Sequence, residues 1–231
     1  MKFSLPLISA LCATTAMAAP RSLKLSGCDV SKKTLDLPAS QTALPSPAAP
    51  LAFVAVAIGT QNYTCSAAGT YASAGALAEL FDISCLTGSS FSKIQKNLYT
   101  LWKLAPPSVS TSALIKLLHF TKTPAVLGQH YFVPNPSGAA GLSPKWDFTS
   151  QGATKGNKDA FVIAARAGGF AAPTGPSDVD WLALIGVQGK LASQIYRVDT
   201  VGGQPPASCT PGSAPIIVKY TSKYYLYGSS L

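Results

Sequence analysis

The sequence predicts a mainly β protein of one domain, a sandwich or barrel with a short helical insertion at about residues 90–120. Many short segments rich in β-branched and aromatic residues are separated by clusters of Gly, Pro and Ser, which is typical of strands joined by turns. Charged residues make up 12% and hydrophobic residues 47% of the 231 residues, which favours a packed core over disorder. A chain of this length can form one sizeable core.

The N-terminal segment has the three parts of a secretory signal peptide. Lys2 supplies a positive charge, residues 3–13 are mostly apolar, and Ala16 and Ala18 are the small residues that signal peptidase requires before its cleavage site. The apolar stretch is too short to span a bilayer. We therefore expect residues 1–18 to be removed, and the mature protein to be extracellular with no membrane anchor.

Residues 19–50 predict a Pro-rich lead-in to the folded domain. Four prolines lie within residues 38–50, among Ala, Ser, Thr and Gln, and this composition is typical of an extended segment without regular structure. We expect the lead-in to be poorly ordered and tied down at Cys28. The β-rich domain is expected to cover residues 51–231.

The pattern of apolar residues predicts the elements of that domain. An apolar run at 52–58 ends at Gly59 and predicts a buried strand, while 61–65 is a candidate for a second. Residues 76–83 have mixed propensity, and their length favours a strand. Apolar residues at helical spacing predict helices around 91–102 and 114–118. Further strands are predicted at 126–133, 145–149, 161–166, 181–187, 195–201 and 216–227, the last with strict alternation.

Four cysteines remain after the signal peptide, and an even number in an oxidising compartment predicts two disulfides. Of three possible connectivities, we predict Cys65–Cys85, between neighbouring strands, and Cys28–Cys209, which would anchor the lead-in. No C-x-x-C spacing occurs, so a zinc or redox motif is not supported. One sequon, Asn62-Tyr63-Thr64, predicts N-glycosylation of Asn62.

Few residues are suited to catalysis. Glu79 is the only glutamate, and His119 and His130 are the only histidines. No G-x-S-x-G elbow and no metal-binding spacing occurs, so we expect neither a metal nor a cofactor. The net charge of +9, or +8 without Lys2, comes from scattered basic residues rather than a nucleic-acid-binding module. We expect neither nucleic acid nor membrane as a partner.

Two groups of residues are candidates for a site. Asp147, His130 and Arg197 are weak catalytic candidates, although His130 also fits a core position, and Arg197 could pair with Asp199 on one strand face. Aromatic residues beside Lys or Asp could stack on sugar rings, and the candidates for glycan binding are Trp146, Tyr225 and Tyr227. Convergence of the first group in a pocket would favour an enzyme, and a flat aromatic strip would favour a binding protein.

Several motifs in order along the chain resemble a known family. They are Gly59–Cys65, Leu80–Asp82, Gly128–Phe132, Trp181–Leu182 and Arg197–Gly203. The chain resembles, over about residues 51–227, a family of secreted proteins found in filamentous fungi and bacteria and catalogued as a domain of unknown function. The resemblance implies a fungal extracellular origin and no established activity. Some members carry a malate dehydrogenase label, but no G-x-G-x-x-G turn occurs here, which excludes a nicotinamide enzyme of that kind.

The sequence alone leaves three functions open. We expect a secreted, non-enzymatic protein that associates with cell-wall or plant polysaccharide. The alternatives are a secreted Asp-dependent glycan hydrolase and a protein-interacting, effector-like factor. The sequence does not predict an oligomeric state.

Overall fold

The computed structural model describes residues 26–106, 108–120, 123 and 125–231. Eight strands form one closed antiparallel barrel, in which each strand pairs with the next along the chain and the last pairs with the first. The strands are β1 (Leu51–Cys65), β2 (Tyr71–Asp82), β3 (Val126–Pro134), β4 (Leu142–Asp147), β5 (Phe161–Phe170), β6 (Trp181–Gly189), β7 (Gln194–Gly202) and β8 (Ile216–Tyr227). The predicted mainly β fold is confirmed, and the architecture is the barrel.

Two helices connect β2 to β3, where the sequence predicts the helical insertion. They are α1 (Gly88–Leu104) and α2 (Thr111–Phe120). Helix α1 packs against the outer face of the barrel: the Trp102 indole NH donates to Gly59 O at 2.8 Å, and Thr221 Oγ1 donates to Gln95 O at 2.8 Å. A single 3₁₀ turn, Gly152–Thr154, follows β4.

Strand β1 is longer than the sequence pattern indicates, because Gly59 does not end it. A Cβ atom at residue 59 would lie 2.2 Å from Leu77 O, so glycine lets β1 and β2 approach closely at this point. The predicted strands at 52–58 and 61–65 are therefore one strand of 15 residues, paired with β2 and β8 along most of its length.

Side chains fill the barrel lumen. Small residues on β1 and β2 leave room for large rings on β4 and β8, and such complementary sizes are typical of small barrels. The small residues are Ala55, Ala57 and Ala78, and the rings belong to Trp146, Tyr220 and Tyr224. The predicted alternation of β8 is confirmed, since Tyr220, Tyr224 and Leu226 lie in the lumen core and Tyr225 and Tyr227 in a second core.

This second core lies outside the barrel, under residues 26–50 and α1. Residues 26–50 contain no helix or strand, as their prolines suggest, but they pack on the barrel. Leu44 is buried, Tyr196 Oη donates to Pro45 O at 2.7 Å, and Ala48 N donates to Gln194 Oε1 at 2.7 Å. The lead-in is thus part of the folded domain from residue 26 onward. The predicted signal peptide and its cleavage site lie outside the described residues.

The disulfides connect Cys28 to Cys85 and Cys65 to Cys209, so the predicted pairing is wrong. Cys65 pairs with Tyr71 at one end of the β1–β2 hairpin, whereas Cys85 follows Asp82, which pairs with Ala55 at the other end. At about 3.3 Å per residue, the two cysteines lie roughly 30 Å apart. Cys28 anchors the lead-in as predicted, but its partner is Cys85, just after β2, rather than Cys209.

Within the described residues, no helix is long and apolar enough to cross a membrane.

Candidate functional site

His130 and Arg197 meet in the barrel lumen, but the space between them is small. Both line a cavity of about 40 Å³, together with Trp146 and Tyr224. The His130 ring stacks on Trp146 with ring centroids 4.4 Å apart, and Arg197 donates two hydrogen bonds to Asp180 O at 2.9 and 3.1 Å. A cavity of this size is close to the volume of one water molecule, so it has no room for a substrate.

The environment of His130 keeps its ring neutral. Only 2% of the residue is exposed, and this burial lowers the pKa of His130 to about 3, although its Nδ1 lies 3.0 Å from Lys145 O. The positive charge of Arg197 contributes to this lowering of the pKa. His130 is therefore a core histidine, which is one of the two interpretations that the sequence allows.

Asp147 does not join His130 and Arg197. Trp146 points into the lumen, so its neighbours Lys145 and Asp147 point outward. Asp147 Oδ2 accepts from Tyr131 Oη and Lys145 Nζ, each at 2.8 Å. Burial raises the pKa of Asp147, but hydrogen bonds from Lys145, Thr149 and Tyr131 outweigh it and lower the pKa to about 2. The three catalytic candidates form no common pocket.

The three aromatic candidates for glycan stacking are buried. Trp146 is 1% exposed inside the barrel, while Tyr225 and Tyr227 are 2% and 6% exposed in the second core. Alternation along β8 places the two tyrosines on the outer face, but it does not show that the lead-in covers this face. No flat aromatic strip is formed by these residues.

A polar cleft lies on the outer face of the barrel, between the lead-in, the start of α1 and strands β6–β8. We call it the outer cleft; its volume is about 580 Å³, within the usual range for ligand sites. Carboxylate, ammonium, hydroxyl and aromatic groups line it. The lining residues that bear on its chemistry are Asp36, Phe91, Thr174, Trp181, Asp199, Lys223 and Tyr225.

A β-bulge directs Asp199 toward this cleft. From Val198 to Val201, β7 advances three residues while β8 advances two, so β7 contains one extra residue. Asp199 adopts φ 51° at the bulge and is the one non-glycine residue with positive φ among those described. The bulge interrupts the alternation that would have placed Arg197 and Asp199 on one face. Arg197 consequently lies in the lumen, and Asp199 lies outside with Lys223.

Lys223 supplies the positive charge of the outer cleft. Its side chain is 3% exposed, and its Nζ lies 2.9 Å from Asp199 Oδ2. The same ammonium lies 4.6 Å from the centre of the Phe91 ring, which Lys33 Nζ approaches to 4.3 Å. The carboxylate and the ring thus hold a nearly buried cation in place. Asp199 Oδ1 accepts no hydrogen bond within the described part of the chain.

Two aromatic residues, Trp181 and Tyr225, also line the outer cleft. The Trp181 indole nitrogen is buried and has no hydrogen-bond partner among the described residues. Burial, together with the nearby charges of Asp199, Tyr227 and Asp36, raises the pKa of Tyr225 well above its usual value, so its hydroxyl keeps its proton at neutral pH. A buried donor without a partner costs free energy.

Sequence reasoning identifies Asp199 and Tyr225 but not the site that they share. Lys223 and Tyr225 are two residues apart on β8, and side chains at that spacing in a strand lie on the same face. Asp36 lies in the lead-in, 163 residues from Asp199 in the numbering, and no local pattern connects them. The packing of the lead-in is therefore what sequence reasoning missed.

A second titratable cluster lies beneath α2. Glu79 is fully buried on β2, and Gln129 Nε2 lies 3.2 Å from its Oε2 and 2.7 Å from His119 Nε2. Burial raises the pKa of Glu79 to about 7, against a smaller opposite effect of the Gln129 hydrogen bond. Burial and Lys155 lower the pKa of His119. Among the residues described, no group of three or more His, Cys, Asp or Glu side chains could hold a metal.

The predicted glycosylation site lies in a strand rather than in a surface loop. Asn62 pairs with Gly75 of β2 and Ile217 of β8, and its side-chain Oδ1 is buried. Sequons that carry glycans are usually found in surface loops. Glycosylation of Asn62 stays a prediction.

Comparison with known proteins gives one finding. A family described as "Protein of unknown function (DUF3455)" matches residues 45–228, which include all eight strands of the barrel and both helices. No curated protein and no solved structure matches the chain. Since the match covers well over half of the sequence, the chain belongs to the DUF3455 family of proteins of unknown function.

Proposed function

We propose that the protein is a secreted, non-enzymatic binding protein that holds a segment of extracellular glycan in the outer cleft. The signal-peptide pattern and the two disulfides support secretion. A cleft of mixed polar and aromatic lining takes the place of the exposed aromatic strip that the sequence suggests for glycan binding. Such a lining suits a polyhydroxylated ligand, because each hydroxyl both donates and accepts hydrogen bonds.

The observation that carries this proposal is Asp199 at the β-bulge. Positive φ is uncommon for residues other than glycine, although Asp tolerates it better than most, and side chains that bulges redirect occur often beside functional sites. The carboxylate has one oxygen on Lys223 and, among the described contacts, one oxygen able to accept a ligand hydroxyl. Trp181 also lines the cleft and supplies an aromatic ring beside Asp199.

The test is sedimentation with insoluble polysaccharide. Wild type should sediment with at least one of chitin, β-glucan and pectin at about 0.5 M salt, which screens the contacts of scattered lysines beyond a few ångströms. Asp199→Asn should lose this binding. Asp159→Asn is the matched control, because Asp159 also pairs with a lysine, Lys190 at 2.7 Å, on an exposed part of the surface.

The same samples separate the alternatives. Release of reducing sugar ends by wild type, and its loss in Asp199→Asn, would support the hydrolase. If wild type stays in the supernatant with every polymer, or both variants sediment equally, glycan binding in the outer cleft is wrong. The protein-interacting alternative would then lead.

A further inference from the structure

A second, larger groove lies on another part of the barrel surface, where α1 ends and α2 begins. We call it the corner groove; its volume is about 800 Å³. Its apolar walls come from the connection between the helices and from the outer faces of β1, β2 and β8. The principal apolar residues are Leu77, Trp102, Leu104, Val109 and Ile217.

Two of these apolar side chains are strongly exposed. Leu104 is 76% and Ile217 is 69% exposed, at the rim of the groove. Single exposed apolar residues are common on protein surfaces, but these two border a concave apolar cavity of ligand size. The corner groove is thus suited to an apolar chain that enters from solvent.

The charged residues that line the groove are all basic. They are Lys103, which is exposed, and Lys219, and no Asp or Glu is among the lining residues that the structure describes. Lys219 Nζ donates to Trp102 O at 2.9 Å and to Ala105 O at 2.7 Å, and it lies 4.5 Å from the centre of the Trp102 ring. An ammonium has three donors, so one remains for a ligand.

The N-terminus of α2 adds positive potential to the same groove. Thr111 and Ser112 line it, and the first turn of the helix contains no acidic residue. Ser110 Oγ accepts from Ala113 N at 3.1 Å and caps one backbone NH, while the NH groups of Thr111 and Ser112 have no carbonyl partner within the helix. The partial positive charge of a helix N-terminus favours anions.

We propose that the corner groove binds an anionic amphiphile with a single apolar chain, of the fatty-acid class. The apolar walls contact the chain, while Lys103, Lys219 and the start of α2 contact the acidic group. This site is separate from the outer cleft, with which it shares no lining residue. The ligand proposed for the corner groove, an anionic amphiphile, is also of a different chemical class from the glycan proposed for the outer cleft.

The experiment measures displacement of 11-(dansylamino)undecanoic acid by oleate, followed by dansyl fluorescence. Wild type should bind the probe, and oleate should compete better than methyl oleate, which lacks the charge. Ile217→Glu should weaken oleate binding at least tenfold, because it places a like charge on the apolar wall. Lys103→Glu should weaken it about fivefold, as expected for an exposed charge.

Matched controls separate the groove from general surface effects. Ile185→Glu changes an apolar residue of β6 that is 49% exposed, and Lys96→Glu changes an exposed lysine of α1; neither lines the groove. Both should bind oleate like wild type, as should Asp199→Asn. Equal binding of oleate and methyl oleate would overturn the anion recognition, and equal binding by Ile217→Glu and Ile185→Glu would overturn the site. Binding to anionic phospholipid vesicles without binding of monomeric oleate would overturn it too and would indicate a membrane-surface role instead.

Discussion

The barrel lumen and the outer cleft contain the same kinds of groups, aromatic rings beside charged side chains, and differ in how much space they leave. In the lumen, His130 stacks on Trp146 and the remaining cavity is about 40 Å³. In the outer cleft, Asp199 and Lys223 border a space of about 580 Å³. An eight-stranded barrel is just wide enough for side chains to fill it. Because side chains fill the lumen here, a ligand can bind only on the outer face, where the covering segments shape the site.

Trp146→Ala is expected to have the largest effect on stability, because it removes a fully buried ring from the lumen. Truncation of a buried aromatic residue typically lowers the free energy of unfolding by about 3–5 kcal/mol. Asp199→Asn should lower it less, because that side chain is one-third exposed and the amide oxygen of Asn can still accept a hydrogen bond from Lys223. Urea denaturation of both variants checks the contrast. If both variants lose the same free energy of unfolding, the lumen and the outer cleft do not differ in packing.

Removal of the Cys28–Cys85 disulfide tests whether the lead-in builds the outer cleft. This bond closes a loop with a sequence separation of 57 residues, and the chain-entropy model assigns it about 4 kcal/mol. The double variant Cys28→Ser, Cys85→Ser should unfold at lower urea and should also lose polysaccharide binding. Peptide mapping without reduction tests the connectivity first. A peptide that links Cys28 to Cys209 would contradict the structure.

Glu79 should make the protein less stable as the pH rises. Its pKa in the folded state, about 7, is above the usual 4.5, so the folded protein holds a proton that the unfolded chain releases between these values. The free energy of unfolding should therefore fall by about 3 kcal/mol from pH 4.5 to 7, and this fall should be absent in Glu79→Gln. Urea denaturation at pH 5 and pH 8 measures it. Parallel behaviour of wild type and Glu79→Gln would refute the shifted pKa.

His130 should make the protein less stable as the pH falls, which is the opposite of the Glu79 dependence. Its substitution should have a smaller effect on stability at neutral pH. Its folded pKa is lowered to about 3, so the stability that the neutral ring provides is present above pH 6.5 and is lost as the pH falls toward 3. His130→Phe keeps the stacked ring but loses the contact with Lys145 O, at a cost of about 1 kcal/mol at pH 7. It should resist acid better than wild type. Acid unfolding is followed by near-UV circular dichroism. If the variant and wild type unfold at the same pH midpoint, the lowered pKa of His130 is wrong.

The sequence predicts the elements of the fold better than it predicts what covers them. Alternation along β8 correctly separates Tyr224 from Tyr225, since side chains alternate in any strand. The same alternation cannot show whether an outer face meets solvent or another segment, so it does not reveal that Tyr225 is buried. Likewise, the β7 bulge adds one residue without any change in the apolar pattern, so the separation of Arg197 from Asp199 is not predictable.

The prediction of a Cys65–Cys85 disulfide is wrong for a similar reason, because it depends on a local pattern rather than on the whole fold. The sequence pattern suggests that a strand ends at Gly59, because glycine often marks turns, whereas the structure uses this glycine for close contact with β2. A short first strand would have brought Cys65 near Cys85. The true length of β1 is fixed by its pairing with both neighbours in the closed barrel, which is information about the whole fold rather than about residues 51–65.

The most direct test of the central claim, that the outer cleft binds ligand and the lumen does not, is titration calorimetry with a soluble fragment of whichever polysaccharide sediments the protein. Asp199→Asn should weaken binding at least tenfold, because the Asp199 carboxylate is proposed to accept a ligand hydroxyl. His130→Phe in the lumen and Asp159→Asn at the exposed ion pair should bind like wild type. If His130→Phe loses binding while Asp199→Asn keeps it, the ligand enters the barrel and the outer cleft is not the binding site.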